Sequence, residues 1–399
     1  MSHPTSRNST PLRLVIGADT FPPDVNGAAR FAHRLAVGLA SRGHEVHVVA
    51  PSPTGPAHRE TRDGITVHRL RAYRTWVHPT FRACLPWQTA SAAARLIEVI
   101  SPDVVHVQSH FPVCRGLIRA ATRAGVPVVA TNHFMPENLF AYAKIPVRLQ
   151  QRAARWAWRD LVRVFRSVDT VTAPTPRAVK LLHDHGLTHR AIPISCGIDL
   201  ERYAVAPPVT PRATRTVLFV GRLDQEKRVD ELLRALALLP SWVRAEIVGD
   251  GACRQEWQSL AEWLGVADRV TFHGYVDDDA LLDAYARCDV FCMPGIAELQ
   301  SLVTMEAMAA GKPVVAADAM ALPHLVHPGE NGYLFPPGDV AALASALIDV
   351  LSSPETAARM GAASRRIVAA HDVANTLDAF EEVYRQTMGA AGRRQPVAA

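Results

Sequence analysis

Residues 12–51, LRLVIGADTFPPDVNGAARFAHRLAVGLASRGHEVHVVAP, decide the fold class. LRLVIGA is a short β-branched run that reads as a buried strand, and a Pro/Gly loop, FPPDVNG, follows it. The amphipathic stretch from about Ala28 to Ser41 reads as a helix. Gly43 stands where a helix would be capped, and EVHVVAP resumes as strand. Strand, helix and strand at this spacing predict a βαβ unit, hence a parallel sheet with a right-handed crossover.

The alternation continues downstream. ASAAARLIEVI (90–100) and CRGLIRAATRAG (114–125) read as helices, DVVHVQ (103–108) and VPVVATNH (126–133) as strands. VDTVTAP (168–174) is a further strand and TPRAVKLLHDHG (175–186) a further helix. After a Pro- and Thr-rich stretch, ERYAVAPPVTPRAT (201–214), the pattern restarts. Strands are expected at 215–221, 245–251, 269–274, 289–295 and 313–318, with helices at 227–238, 253–264, 278–287 and 302–310. The expected architecture is therefore α/β: two doubly wound, Rossmann-like domains facing across a cleft. The division is 1–200 for the first domain and 201–375 for the second. Residues 376–399 are a helix returning to the first domain, frayed from about 389.

Composition sets outer bounds. The chain has 399 residues, of which 48% are hydrophobic and 20% charged, which suits two or three globular domains rather than a disordered chain. No apolar run reaches 18 residues, so no transmembrane helix is expected. The polar start, MSHPTSRNSTPLRL, lacks the core of a secretory signal. The six cysteines (84, 114, 196, 253, 288, 292) show no zinc spacing and read as reduced core thiols. A cytoplasmic protein follows as the expectation. The net charge of +5 fits a phosphate-bearing ligand or an acidic membrane surface and does not require nucleic acid.

Several segments can carry chemistry. In GIAELQSLVTMEAMAAGKPVVAAD (295–318) seven residues separate Glu298 from Glu306. With a helix starting near Leu302, the open amides of Ser301, Leu302 and Val303 would cradle a diphosphate. The flanking carboxylates would accept sugar hydroxyls. In VGRLDQEK (220–227), Gly221 gives a tight strand exit, and Arg222 with Lys227 can neutralise a pyrophosphate leaving group. Gly249, Asp250 and Gly251 follow another strand, and the two glycines permit close approach of backbone to a ligand. Gly274 to Val276, with Tyr275 between, end a strand where backbone could meet a base. Gly27 opens the first helix, and His133 lies just past a strand end, as does His110. For each segment taken singly a bland alternative stays open: a helix-start carboxylate, a solvated charge run, a strand exit, a satisfied histidine. The DDD run at 277–279 reads as a helix cap rather than a metal site. HDH at 183–185 ends a helix without a third ligand.

Together, FPPDVNGAARF, VGRLDQEK, IVGDG, FHGYV, the Glu298–Glu306 segment and ENGYLFPPGD, in this order, resemble the retaining glycosyltransferases of family 4, which have the glycosyltransferase-B fold. The resemblance runs from about Leu12 to Tyr384. It implies that Glu306 binds the ribose, Glu298 the donor-sugar hydroxyls, and Arg222 and Lys227 the diphosphate. It likewise sets Gly27 near the diphosphate and acceptor and His133 near the donor sugar. The donor would be UDP-glucose or GDP-mannose, with no metal and no other cofactor, and the acceptor a hydroxyl on a lipid, glycan or small molecule. The sequence departs from the family at Glu298-Leu299-Gln300-Ser301-Leu302, where glycines are usual between the glutamates, and at Gly27-Ala28 in place of a double glycine. The AELQSLVTMEAMA and NHFMPENL variants resemble a subgroup with diacylglycerol glucosyltransferases and related mannosyltransferases. A nucleotide-sugar epimerase, a phosphorylase, or a non-catalytic nucleotide-sugar-binding protein are the rival readings on this architecture. Finally, PVRLQQRAARWAWRDLVRVFR (146–166) spaces six arginines by mostly three or four residues. It reads as a basic amphipathic helix able to lie on an anionic membrane at the inner face of the cell, or as a packing helix with a solvated basic face.

Overall fold

The computed structural model describes residues 10–24, 26–75, 82–136, 145–204 and 213–392. Its elements begin with β1 (Arg13–Gly17), α1 (Gly27–Ser41), β2 (Glu45–Pro51), β3 (His58–Arg62), β4 (Ile65–Leu70), β5 (Tyr73–Arg74) and β6 (Arg82–Ala83). Next come α2 (Pro86–Ile100), β7 (Val104–Val107), α3 (Pro112–Ala124), β8 (Val128–Thr131), α4 (Val147–Phe165), β9 (Thr170–Ala173), α5 (Pro176–Asp184) and β10 (Ala191–Pro193). A short α6 (Leu200–Tyr203) leads to β11 (Arg215–Val220), α7 (Val229–Leu238), β12 (Val243–Val248), α8 (Arg254–Trp263), β13 (Val270–Gly274) and α9 (Asp278–Arg287). The chain closes with β14 (Val290–Met293), α10 (Leu302–Ala309), β15 (Val314–Ala317), β16 (Gly332–Phe335), α11 (Val340–Leu351), α12 (Pro354–Val368) and α13 (Val373–Gly392).

These elements divide into two compact units. Unit 1 holds the chain up to Ile194 together with the part from Leu377 onward, and unit 2 holds Ser195–Thr376. In unit 1 the sheet order is β10-β9-β8-β7-β1-β2-β4-β3. Strands β1, β7 and β8 are nearly continuous runs of buried Val, Ile and Ala, as expected of strands covered on both faces. The all-parallel expectation fails at one edge, where β3 runs antiparallel to β4. The cause is local: Asp63 and Gly64 both have positive φ, 51° and 76°, the conformation of a tight hairpin turn. In unit 2 the order is β13-β12-β11-β14-β15-β16, parallel throughout. Counted along the chain this is 3-2-1-4-5-6, the dinucleotide-fold order, with its switch point between β11 and β14. Ligands of such sheets sit beyond the carboxyl ends of the strands at that point.

Three other expectations shift. The helix after β11 begins at Val229, because a single tight turn, Gln225–Lys227, precedes it. The last helix runs to Gly392, so residues 389–392 are helical rather than frayed, and 393–399 lie outside the described residues. Of the Pro/Thr-rich stretch, Glu201–Tyr203 is helical and 205–212 lies outside the described residues. The chain passes between units before that stretch, at Ile194/Ser195, and again at Thr376/Leu377. Helix α13 supplies Phe380 and Tyr384 to the core of unit 1, where the Tyr384 hydroxyl meets His106 Nδ1 at 2.8 Å. All six cysteines are free and buried.

Candidate active site

Four loops converge at the carboxyl edge of the unit 2 sheet, and backbone hydrogen bonds join them. The Leu223 amide donates to the Asp250 carbonyl (3.0 Å), and the Cys253 amide to the Leu223 carbonyl (2.8 Å). The Gly249 amide reaches the Gly274 carbonyl (2.8 Å), and Ile296 donates to the Glu226 carbonyl (3.0 Å). The glycines expected to admit a ligand are required inside this weave. A Cβ on Gly249 would stand 1.9 Å from the Gly221 carbonyl oxygen, and one on Gly251 2.6 Å from that of Leu223. The backbone contact that fixes these two as glycine is therefore within the chain. Asp250, between them, accepts from Arg254 Nη1 at 3.0 Å. Tyr275 follows Gly274 and is 68% exposed, and Val276 packs partly into the core.

The switch point gathers the charged groups. Arg222 leaves β11 and pairs with Asp224 (2.8 Å) and Glu226 (3.3 Å). Lys227, at the end of the tight turn, pairs through Nζ with Glu298 Oε1 in the loop after β14. Both partners of that pair are mostly buried, so each side chain is held by the other's charge rather than by solvent.

Helix α10 starts at Leu302, as the sequence predicts. Its N-cap, Ser301, makes no side-chain bond to a first-turn amide. Instead the Thr304 hydroxyl donates to Ser301 Oγ at 2.8 Å. The first-turn N–H groups, Leu302 and Val303 among them, are thus left to another acceptor, and the helix dipole favours an anion there. Glu306, one turn further on, is buried, and its Oε2 accepts from the Tyr285 hydroxyl at 2.8 Å. Burial and that carboxylate push the Tyr285 phenol well above its ordinary range, so it remains a donor. At the start of α9, Asp277 accepts from the Ala280 amide at 2.9 Å, the cap its sequence position predicts.

In unit 1 the corresponding switch point lies between β1 and β7. Asp19, past β1, accepts from Ser109 Oγ (2.6 Å) and the Val113 amide (2.9 Å), so it caps α3. Gly27 is the first residue of α1, whose Ala29 amide is already taken by Asn26 Oδ1 at 2.8 Å. His133, past β8, bonds through Nε2 to Gln108 Oε1 at 2.9 Å, and burial lowers its pKa to about 4. His110, past β7, is buried with Nδ1 unpartnered, and burial lowers its pKa to about 4 as well. Of the NHFMPENL stretch, residues 137–139 lie outside the described residues.

Comparisons with known proteins give the family. The family model described as glycosyl transferases group 1 matches residues 206–367, and that described as Glycosyltransferase Family 4 matches 25–202. A GDP-mannose-dependent alpha-mannosyltransferase of Mycolicibacterium smegmatis is 32% identical over 394 residues, 95% of this chain and 98% of that protein. One of Mycobacterium tuberculosis with the same description is also 32% identical, covering 82% of this chain and 85% of that protein. The chain is a family 4 glycosyltransferase. Solved structures carry the fold: a sucrose-phosphate synthase from Thermosynechococcus elongatus aligns with TM-score 0.79 at 22% identity, over 95% of this chain and 100% of that one. HepE of Anabaena in complex with UDP-glucose aligns with TM-score 0.74 at 20% identity, over 94% and 99%. The glycosyltransferase has the glycosyltransferase-B fold and moves a hexose from a nucleotide sugar.

Sequence reasoning missed two residues that this glycosyltransferase places in the site. Tyr285 is one of ten residues in an ordinary helix, and only its reach to Glu306 marks it. Gln300 was noted only as a departure from glycine-rich relatives. Its side chain takes the Cys196 amide (2.7 Å) and donates to Ser195 Oγ (2.9 Å).

Proposed function

We propose that this glycosyltransferase transfers a mannosyl group from GDP-mannose, with retention at the anomeric carbon, to a hydroxyl acceptor that a lipid can carry. The observation that supports the reading is the convergence of Arg222, Lys227 and the uncapped start of α10 at the switch point of unit 2. The bond from anomeric carbon to diphosphate oxygen breaks, and its electron pair leaves on the phosphate. The guanidinium, the ammonium and the amides of residues 301–303 neutralise that developing charge, with no divalent ion required. The acceptor hydroxyl enters on the face the phosphate leaves, and its proton passes to the departing phosphate oxygen. No enzyme nucleophile enters this scheme. Glu298 then serves the sugar hydroxyls and Glu306 the ribose, and the family resemblance gives His133 a place near the donor sugar. Tyr275 and Val276 border the base, with the Gly221 and Gly249–Gly251 turns shaping the floor beneath. The two mycobacterial relatives, both GDP-mannose-dependent alpha-mannosyltransferases, favour mannose over glucose.

A thermal-shift panel tests the donor. GDP-mannose raises the melting temperature more than UDP-glucose does, since a ligand bound only to the folded form stabilises it. A larger shift with UDP-glucose makes the enzyme a glucosyltransferase instead. NMR of the product with chelator present tests the chemistry. An α-linked product at undiminished rate supports the scheme, and an inverted product defeats it. Incubating donor alone and finding its sugar isomer would favour the epimerase reading.

A further inference from the structure

We propose that α4 is the surface by which this enzyme seats on a bilayer bearing anionic phospholipid headgroups. At about 100° per residue, Arg148, Arg152, Arg155, Arg159 and Arg163 fall within one strip about 80° wide, and Arg166 continues it past the helix end. All six are exposed. The helix buries Trp158, Leu161 and Phe165 away from the strip, and Val162 at its edge, in unit 1, with Trp158 stacked on His185 at 4.3 Å. Packing therefore fixes the arginine strip outward.

The strip's charge is not compensated. The carboxylate of the helix, Asp160, is paired with Arg115 of α3. Among the described residues none of the five helical arginines forms an ion pair. Along one border lie Leu149, 42% exposed, and Trp156, 70% exposed. Guanidinium forks match phosphate oxygens, and an indole is at home where headgroups meet hydrocarbon. A nucleic-acid backbone would satisfy the arginines and leave Leu149 in water, whereas a bilayer surface takes both. No single helix among the described residues is long and apolar enough to cross a membrane, so α4 lies on the surface. One indole and a row of charges give reversible, salt-sensitive binding rather than permanent anchoring.

The experiment is co-sedimentation of the full chain, without donor, with phosphatidylcholine vesicles and with vesicles about one-third phosphatidylglycerol. Binding to the anionic vesicles is expected to be ~10-fold or more tighter, and to fade as salt rises from about 0.1 M to about 0.5 M. The triple change Arg152→Glu, Arg155→Glu, Arg159→Glu weakens it about 100-fold or more. Trp156→Ala weakens it severalfold. Both variants keep the wild-type melting temperature and donor hydrolysis. The salt series on the unaltered protein stands even if a variant misfolds. Equal binding to neutral and anionic vesicles, insensitivity to salt, or tighter binding to duplex DNA at matched phosphate concentration would overturn the proposal.

Discussion

Lys227 and Glu298 illustrate how much one ion pair decides. Each is mostly buried against the other, so removing either leaves a charge without its partner. Lys227→Ala is expected to lower kcat about 10²-fold or more, the scale of losing one transition-state charge contact. It also lowers stability, by about 2 kcal/mol, because Glu298 is left unpaired. Adding Glu298→Gln restores stability and not turnover, and turnover near wild type in the single variant would remove Lys227 from the reaction. Tyr285 acts one step back. Tyr285→Phe takes the hydroxyl from Glu306 Oε2 and should raise donor KM about 10-fold with kcat nearly unchanged, consistent with ~1–3 kcal/mol for an unsatisfied buried acceptor. A drop in kcat alone would place the tyrosine elsewhere in the mechanism. Glu298, Glu306, Arg222 and Lys227 were legible in the sequence because spacing put them at one strand end and one helix start. Tyr285 was not, since its partner lies 21 residues away in the chain and only the folded sheet sets α9 beside α10.

At the scale of elements, unit 1 carries a pH liability. His106 in β7 is fully buried between Tyr384 and Thr131, and burial lowers its pKa to about 3. His110 and His133, past β7 and β8, are lowered to about 4. In the unfolded chain each returns to about 6.5, so below that pH the unfolded state binds more protons and stability falls. The loss is roughly 1.4 kcal/mol per pH unit for each such histidine until its folded value is reached. Asp19 runs the other way, since burial raises its carboxyl and acid favours it. Asp24 is raised by burial likewise, but with His68, also lowered to about 4, four histidines oppose these two carboxyls between about pH 6.5 and pH 4. A melting temperature that falls steeply from pH 7 to pH 5 is the expected outcome, and one flat or rising over that range contradicts it. Most of the strands and helices were readable from apolar runs alternating with amphipathic stretches, because parallel strands covered on both faces are unbroken apolar runs, whereas β10, β16, α11 and α12 were not read. The β3–β4 hairpin escaped notice for the opposite reason. HRETR in β3 is mostly exposed, so it carries no burial pattern, and its only signal is the Asp63-Gly64 turn.

For the whole molecule, the question is how an occupied donor site is registered where the chain passes from one unit to the other. The two passages are held together within unit 2. The Ser195 carbonyl accepts from Thr376 Oγ1 at 3.0 Å, and Ser195 Oγ lies 2.9 Å from His371 Nδ1. Ile198 exchanges backbone bonds with His371 and Val373, both 2.9 Å. Gly197 takes φ +63°, and a Cβ there would stand 2.4 Å from Thr376 Oγ1 and 2.9 Å from Val373 Cα, so only glycine lets this segment lie against the start of α13. Gln300 ties this junction to the loop between Glu298 and α10 through Ser195 and Cys196. A glycine-rich loop at this place has no side chain to make such a tie. If a donor sugar displaces Glu298, as the proposed function requires, the movement would reach the junction through these two hydrogen bonds. Gln300→Ala should leave the donor-induced rise in melting temperature within about a factor of two, since no donor contact is lost. It should lower kcat about 10-fold, in keeping with roughly 1.4 kcal/mol for the two lost bonds. Gln300→Glu keeps the bond from Cys196 and loses the donor to Ser195, so it should fall between. If the alanine variant instead raises donor KM and leaves kcat untouched, Gln300 shapes the donor pocket alone and the junction does not sense it.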